Sequence, residues 1–314
     1  MRGPVSPASG RPRARWTLAD VPDQTGRVAV VTGANAGLGF EISAALAGRG
    51  ATVVLACRDE GRAQGAMARI VERCGTARVE TVRLDLADLA SVRAGAADVR
   101  ARFGRIDLVV DNAGVLMAPR ATTVDGFEGQ MAVNHLGHFA LVGLLLDRLL
   151  STPGSRVVAV GSIGHVIARL DPDDLGGGPR STRFGAYARS KLANLLFVAE
   201  LQRRLSAAGA STIAVSAHPG SARTEIGRHI RWVERALAPV AGLLQQSAGM
   251  GALPVLRAAV DPAVTGGEAY GPAGRLQWRG HPVPVRSGRR ARDPETARRL
   301  WETSERLTGV SYGI

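Results

Sequence analysis

A tyrosine and a lysine four residues apart, in Tyr187-Ala188-Arg189-Ser190-Lys191, carry the clearest chemical signal in the chain. On a helix that spacing stacks the two side chains on one face. A phenol, with an ordinary pKa of about 10, serves acid-base chemistry poorly at neutral pH unless a nearby cation lowers it. Lys191 is such a cation, and it is the only lysine among the 40 Lys and Arg residues. Its compact ammonium has three donors and also suits ribose hydroxyls, which a planar guanidinium does not. Ser162, in Val160-Gly161-Ser162-Ile163, follows an apolar run and is placed to hold a substrate oxygen in line with the phenol. Asn134 is a polar residue inside an otherwise apolar helix, where a core hydrogen-bonding role is expected. His135 and His138 beside it stand three apart, but no third ligand cluster accompanies them, so packing is expected and no metal.

A second signal lies near the N-terminus, in Thr32-Gly33-Ala34-Asn35-Ala36-Gly37-Leu38-Gly39, directly after an apolar run and opening a helical pattern. Glycines there permit a tight turn and let backbone N–H groups and the helix end approach a pyrophosphate. Gly33, Asn35, Gly37, Leu38 and Gly39 are therefore expected to hold a dinucleotide. The second apolar run ends Ala56-Cys57-Arg58-Asp59, with Cys57 where an acid would favour NAD(H) and Arg58 positioned for the extra phosphate of NADP(H). NADP(H) is the expected cofactor, with NAD(H) less favoured; Asp59 either meets the ribose or caps the next helix. Asp85 and Leu86, Asn112-Ala113-Gly114, and Pro219-Gly220 all close strands where such a cofactor must run. Asp85 either contacts the adenine amino group or caps the helix that follows. Thr224 is the candidate contact for the carboxamide.

These residues need strands to end beside one another. Short apolar runs alternate with amphipathic segments: strands at 28–32, 52–57, 79–84, 108–112, 156–161 and 212–217, and helices near 38–49, 60–73, 89–103, 127–150 and 186–208. Runs such as Val-Ala-Val-Val read as parallel strands buried on both faces. The expected fold is an α/β, doubly wound parallel sheet with helices on both faces, a Rossmann fold in a single domain over 24–310. Residues 1–23, rich in Arg and Pro, read as a flexible tail, and 224–267 as a substrate cover.

The net charge of +13 raises nucleic-acid binding as a third reading. The arginines are dispersed and no nucleic-acid motif accompanies them, so no specific nucleic acid is expected. The longest apolar run, Phe139 to Leu150, is broken by Asp147 and Arg148 and too short to span a membrane. Cys57 and Cys74 show no disulfide pattern, and a cytoplasmic protein is expected.

The order Thr-Gly-x-x-x-Gly-x-Gly, Asn-Ala-Gly, serine, Tyr-x-x-x-Lys and Pro-Gly resembles the short-chain dehydrogenase/reductase family from Thr25 to about Thr308. The stretches 56–59, 134–139 and 190–197 resemble its retinol dehydrogenase and WW-domain oxidoreductase branch. Light-dependent protochlorophyllide reductases share many of the motifs, but a cysteine is typical where Ser221 stands. The resemblance implies a tetrad of Asn134, Ser162, Tyr187 and Lys191, with Asn134 supporting a water in a proton relay that ends at Lys191. It implies interconversion of a small-molecule carbonyl and alcohol and supports Arg58 as the NADP(H) contact, while the apolar segment from Ile226 to Leu244 points to a lipophilic substrate. Asp111 departs from the family, which usually has a first Asn before Asn112. The helices at Phe127 and Ala186 are candidate faces for a homodimer or homotetramer. A catalytically silent NADP(H)-binding sensor or scaffold is the alternative.

Overall fold

The computed structural model describes residues 15–75, 77–176, 178, 181–221 and 246–314. Val-rich runs form β1 (Val28–Thr32), β2 (Thr52–Cys57), β4 (Leu108–Asp111), β5 (Arg156–Val160) and β6 (Ile213–Ala217), while β3 (Arg78–Arg83) alternates charged and apolar residues. β7 (Ala269–Pro272) and β8 (Pro282–Val285) complete an eight-stranded sheet of order β3-β2-β1-β4-β5-β6-β7-β8, parallel except for the antiparallel β7–β8 pair. The strand order reverses between β1 and β4, the switch point where an open parallel sheet leaves a crevice at its carboxyl edge. β7 and β8 were not anticipated. They are four residues long, and β8 carries Pro282 and Pro284, tolerated because it lies at an edge.

Alternate strand residues face two apolar layers. Val31, Val53, Leu55 and Val110 pack with α1 (Gly37–Ala47), α2 (Glu60–Cys74) and α8 (Ala248–Val260). Val30, Val54, Val109 and Val157 pack with α3 (Leu89–Arg102), α5 (Gly137–Leu144) and α7 (Arg183–Ala207). The second half of the expected cover segment is thus corrected: 248–260 is a core helix, its apolar residues facing the sheet. Residues 222–245 lie outside the described ones. The tail boundary moves as well, because Trp16 and Val21 are buried in the first layer and Leu18–Asp20 forms a 3-10 turn.

The long helix expected over 127–150 is divided into α4 (Gly129–Met131), a π segment at Ala132–Leu136, α5, and α6 (Leu146–Leu150). Gly137 marks where it passes beneath the loop after β3, since a Cβ there would meet the Leu86 carbonyl oxygen at 2.5 Å. α9 (Pro294–Thr308), also unanticipated, lies against α7 and α5 as a third layer. His135 Nε2 meets Ser304 Oγ at 2.9 Å, and Trp301 packs among Phe139, Phe197 and Tyr312 at centroid distances of 5.1, 5.9 and 4.4 Å. The chain's own C-terminal helix thus packs on one side of α7 and of α5. Replacing Trp301 with Ala should remove about 3–5 kcal/mol of stability. A urea-unfolding midpoint equal to the parent's would show that α9 contributes no such packing.

Candidate active site

The chain leaves β1 through Gly33, at φ +62°, and enters α1 at Gly37. A Cβ on Gly39 would stand 2.5 Å from both Asn112 Nδ2 and the Gly33 carbonyl oxygen, so turn, helix start and β4 loop are in close packing. The Thr32 hydroxyl oxygen accepts from the backbone N–H groups of Asn112 and Ala113 at 3.0 and 2.9 Å, and Asn112 Nδ2 donates to the Thr32 carbonyl at 2.8 Å. This bare-backbone cradle at the switch point fits a dinucleotide pyrophosphate. Cys57 is buried below it, and burial pushes its thiol up to about 11 despite hydrogen bonds from the Ala34 and Asn35 backbone.

Arg58 is exposed just past β2. The acid beside it is engaged: Asp59 caps α2 by accepting from Arg62 N at 2.9 Å. Asp85 is half-buried and closes a turn by accepting from Ala87 N at 3.0 Å, while Asp88 supplies the cap of α3. Leu86 is buried beside it. At the other end of the crevice Gly220, at φ +65°, follows Pro219, whose carbonyl accepts from Gln246 Nε2 at 2.6 Å. Thr224 lies outside the described residues.

The four predicted proton-transfer residues come together at the carboxyl edge. Ser162 caps the 3-10 turn Ile163–Ile167, and a Cβ built on Gly164 would stand 3.5 Å from Ser162 Oγ and 3.7 Å from Tyr187 Cε1. Lys191 is buried, donates to the Val160 carbonyl at 2.9 Å and lies 6.0 Å from the Tyr187 ring centroid. Asn134, in the π segment, accepts from Val115 N at 2.8 Å and donates to Val115 O at 3.1 Å and Ser190 Oγ at 2.8 Å. It thereby ties the β4 loop to α7, one residue from Lys191. His135 and His138 are buried, and burial takes their imidazoles down to about 4 and about 3. Each serves as a neutral core hydrogen-bonding group, His138 to the Thr32 hydroxyl at 2.8 Å. No metal-binding cluster occurs among the described residues.

One expectation about this group changes. Burial raises the Tyr187 phenol above its ordinary value, and the opposing influence is a hydrogen bond with Ser162. Lys191 is itself pulled down to about 8 by burial, against which the charge of Asp111 acts. Asp111 is the residue whose importance the sequence understated. Its register partner is Ala159 on β5, one residue before the carbonyl that Lys191 holds. It is buried, and neither carboxyl oxygen has a hydrogen-bond partner among the described residues. Burial raises it well above the usual carboxylate range, with Lys191 acting in the opposite sense. An acid ending an otherwise apolar strand was the available sign.

Because the Asp111 carboxyl is raised in the fold, its contribution to stability is lost as pH climbs through the folded pKa. Asp111→Asn should therefore gain melting temperature over the parent at pH 8 and gain less at pH 5. It should also leave the Lys191 ammonium easier to deprotonate, moving any alkaline limb of activity to lower pH. A melting difference independent of pH would rule out a strained carboxyl at this position.

The short chain dehydrogenase family matches residues 27–234. Mouse polyprenol dehydrogenase is 43% identical over 299 residues, covering 93% of this chain and 87% of that protein. Human retinol dehydrogenase 13 is 40% identical over 293 residues, covering 91% and 85%. A crystal structure of a Mycobacterium paratuberculosis protein superposes with TM-score 0.80 at 41% identity, covering 96% of this chain and all of that one. The RhlG/NADP complex of Pseudomonas aeruginosa gives TM-score 0.62 at 25% identity, covering 79% and 94%. With the glycine cradle and the tyrosine-lysine pair on one sheet edge, these matches establish that the chain belongs to the short-chain dehydrogenase family and is an oxidoreductase of alcohols and carbonyls.

Proposed function

We propose that this enzyme interconverts a lipophilic alcohol with its aldehyde or ketone, using NADP(H) in preference to NAD(H). The observation that carries the reading is the meeting of Ser162, Tyr187 and Lys191 past the end of β5, on the same sheet edge as the Gly33–Gly39 cradle past the end of β1. When bound, the nicotinamide supplies or accepts hydride. The Gly33–Gly39 turn and Asn112 to Gly114 would hold the dinucleotide, Arg58 its additional phosphate and Lys191 its ribose hydroxyls. Arg58 suits the phosphate because no ion pair or hydrogen bond engages it among the described residues, whereas the competing acid, Asp59, already caps α2. That the RhlG complex contains NADP is in keeping with this choice.

In the reducing direction Tyr187 gives its phenolic proton to the substrate oxygen as Ser162 holds that oxygen in place. Burial keeps the phenol protonated at neutral pH, the state a donor needs. The Lys191 ammonium then offsets the charge left on the phenolate, and Asn134 fixes α7 so that the three groups keep their spacing. A lipophilic substrate is favoured by the relatives named for polyprenol and retinol, and by Phe184, 41% exposed with its ring 6.3 Å from that of Tyr187.

Tyr187→Phe should cost about 10²–10⁴-fold in turnover while leaving NADPH binding intact. Retained turnover would favour the silent-sensor reading or a different proton donor. Arg58→Gln should weaken thermal stabilisation by NADPH and not by NADH; equal loss for both would set aside the phosphate role. Carbonyl reduction should decline as pH rises past about 8, where Lys191 loses its proton. A rate still flat well above that pH would remove the ammonium from the mechanism.

A further inference from the structure

On the far side of the 3-10 turn that follows Ser162 lies a second cavity of about 920 Å³, separate from the glycine cradle. Its wall carries four guanidinium groups, from Arg169, Arg289, Arg290 and Arg292, and its apolar lining includes Leu170 and Leu192. Among the described residues none of the four meets a carboxylate in an ion pair. Arg290 donates to the Val166 and Ala168 carbonyls and Arg292 to that of Ser287, so both are held in place by backbone. Arg169 and Arg289 make no hydrogen bond or ion pair among the described residues. The one acid on the wall, Asp293, caps α9 by accepting from Thr296. On the same wall Val166 is 56% exposed, an apolar side chain among arginines.

Clustered guanidinia without counter-charge repel one another, and an anion with several oxygens relieves that repulsion through charge-assisted, bidentate hydrogen bonds. A phosphate presents more such oxygens than a carboxylate. Leu170 and the exposed Val166 would then receive an apolar chain, which a free inorganic anion cannot supply. We infer that this cavity is a binding site for an amphiphilic phosphate, its headgroup held by Arg169, Arg289, Arg290 and Arg292 and its chain laid along Leu170 and Val166.

The site is wired to the catalytic serine. His165 Nε2 accepts from Gly288 N at 3.0 Å, so its proton is on Nδ1, which donates to the Ser162 carbonyl at 2.6 Å. A ligand that shifts the arginine loop after Gly288 therefore pulls on the residue that positions substrate.

Titration calorimetry with dodecyl phosphate below its micelle concentration, with a nicotinamide dinucleotide saturating the cradle, tests this site independently of turnover. Dodecyl phosphate should bind once per chain, at least about tenfold tighter than inorganic phosphate. The double variant Arg169→Gln/Arg289→Gln removes only the two guanidinia without partners among the described residues, so it should keep the parent melting temperature and lose about tenfold or more of the affinity. Pelleting with phosphatidic acid vesicles, lost in the same variant, would identify a bilayer headgroup as the source; binding without pelleting would identify a monomeric amphiphile. Unchanged affinity in the variant, or inorganic phosphate binding as tightly as dodecyl phosphate, would overturn the assignment.

Discussion

The side-chain amide of Asn134 joins three pieces of the molecule: the π segment that carries it, the loop after β4 and α7. Its oxygen takes the Val115 N–H, and its nitrogen gives to Val115 O and to Ser190 Oγ. The first two bonds hold the loop that follows β4, which carries Asn112 to Gly114 beneath the cradle. The third holds α7 between Tyr187 and Lys191, and Ser190 passes the constraint on by donating to the Tyr187 carbonyl at 2.8 Å. A buried amide left without these partners would cost about 1–3 kcal/mol for each orphaned group. The π segment around Asn134 belongs to the same constraint: widening one turn of a helix is a common way to present a side chain at a functional site.

The central strands were readable because burial on both faces leaves continuous valine-rich runs, and β1, β2 and the start of α2 fall where those runs place them. The chemistry was readable too, since the glycine turn and the tyrosine-lysine pair have spacings that local geometry makes meaningful without tertiary contacts. What escaped notice depends on partners remote in sequence. β7 and β8 are short and proline-bearing, and pairing with β6 and with each other makes them strands. α9 shows an amphipathic pattern whose partners, Phe139 and Phe197, lie more than a hundred residues away. The acid-base balance was the least visible property. Spacing alone put Lys191 near Tyr187, but only the burial of both shows that desolvation is the largest influence on each, raising the phenol and lowering the ammonium.

Two opposite demands meet at the end of β4. Packing asks for an apolar residue beneath α7, and Asp111 instead brings a carboxyl with no hydrogen-bond partner among the described residues. Its charge and that of Lys191 act on each other, so the cost of burying either depends on the protonation state of the other. Local rules broken in this way tend to mark places where folding yields to function. The Tyr312 phenol, whose hydroxyl donates to the Phe139 carbonyl at 2.7 Å, lies in the same layer and is itself raised by burial and by the Asp111 charge.

Lys191 is the sole ε-amine in a polypeptide that uses arginine everywhere else, and it is 2% exposed. Amine-directed acylating reagents and cross-linkers consequently find no side-chain amine on the folded surface. Any such adduct that does appear away from the chain's α-amine reports that the interior beneath Tyr187 has opened. A single isotopically labelled lysine would likewise yield one resonance, and that resonance would belong to the heart of the enzyme.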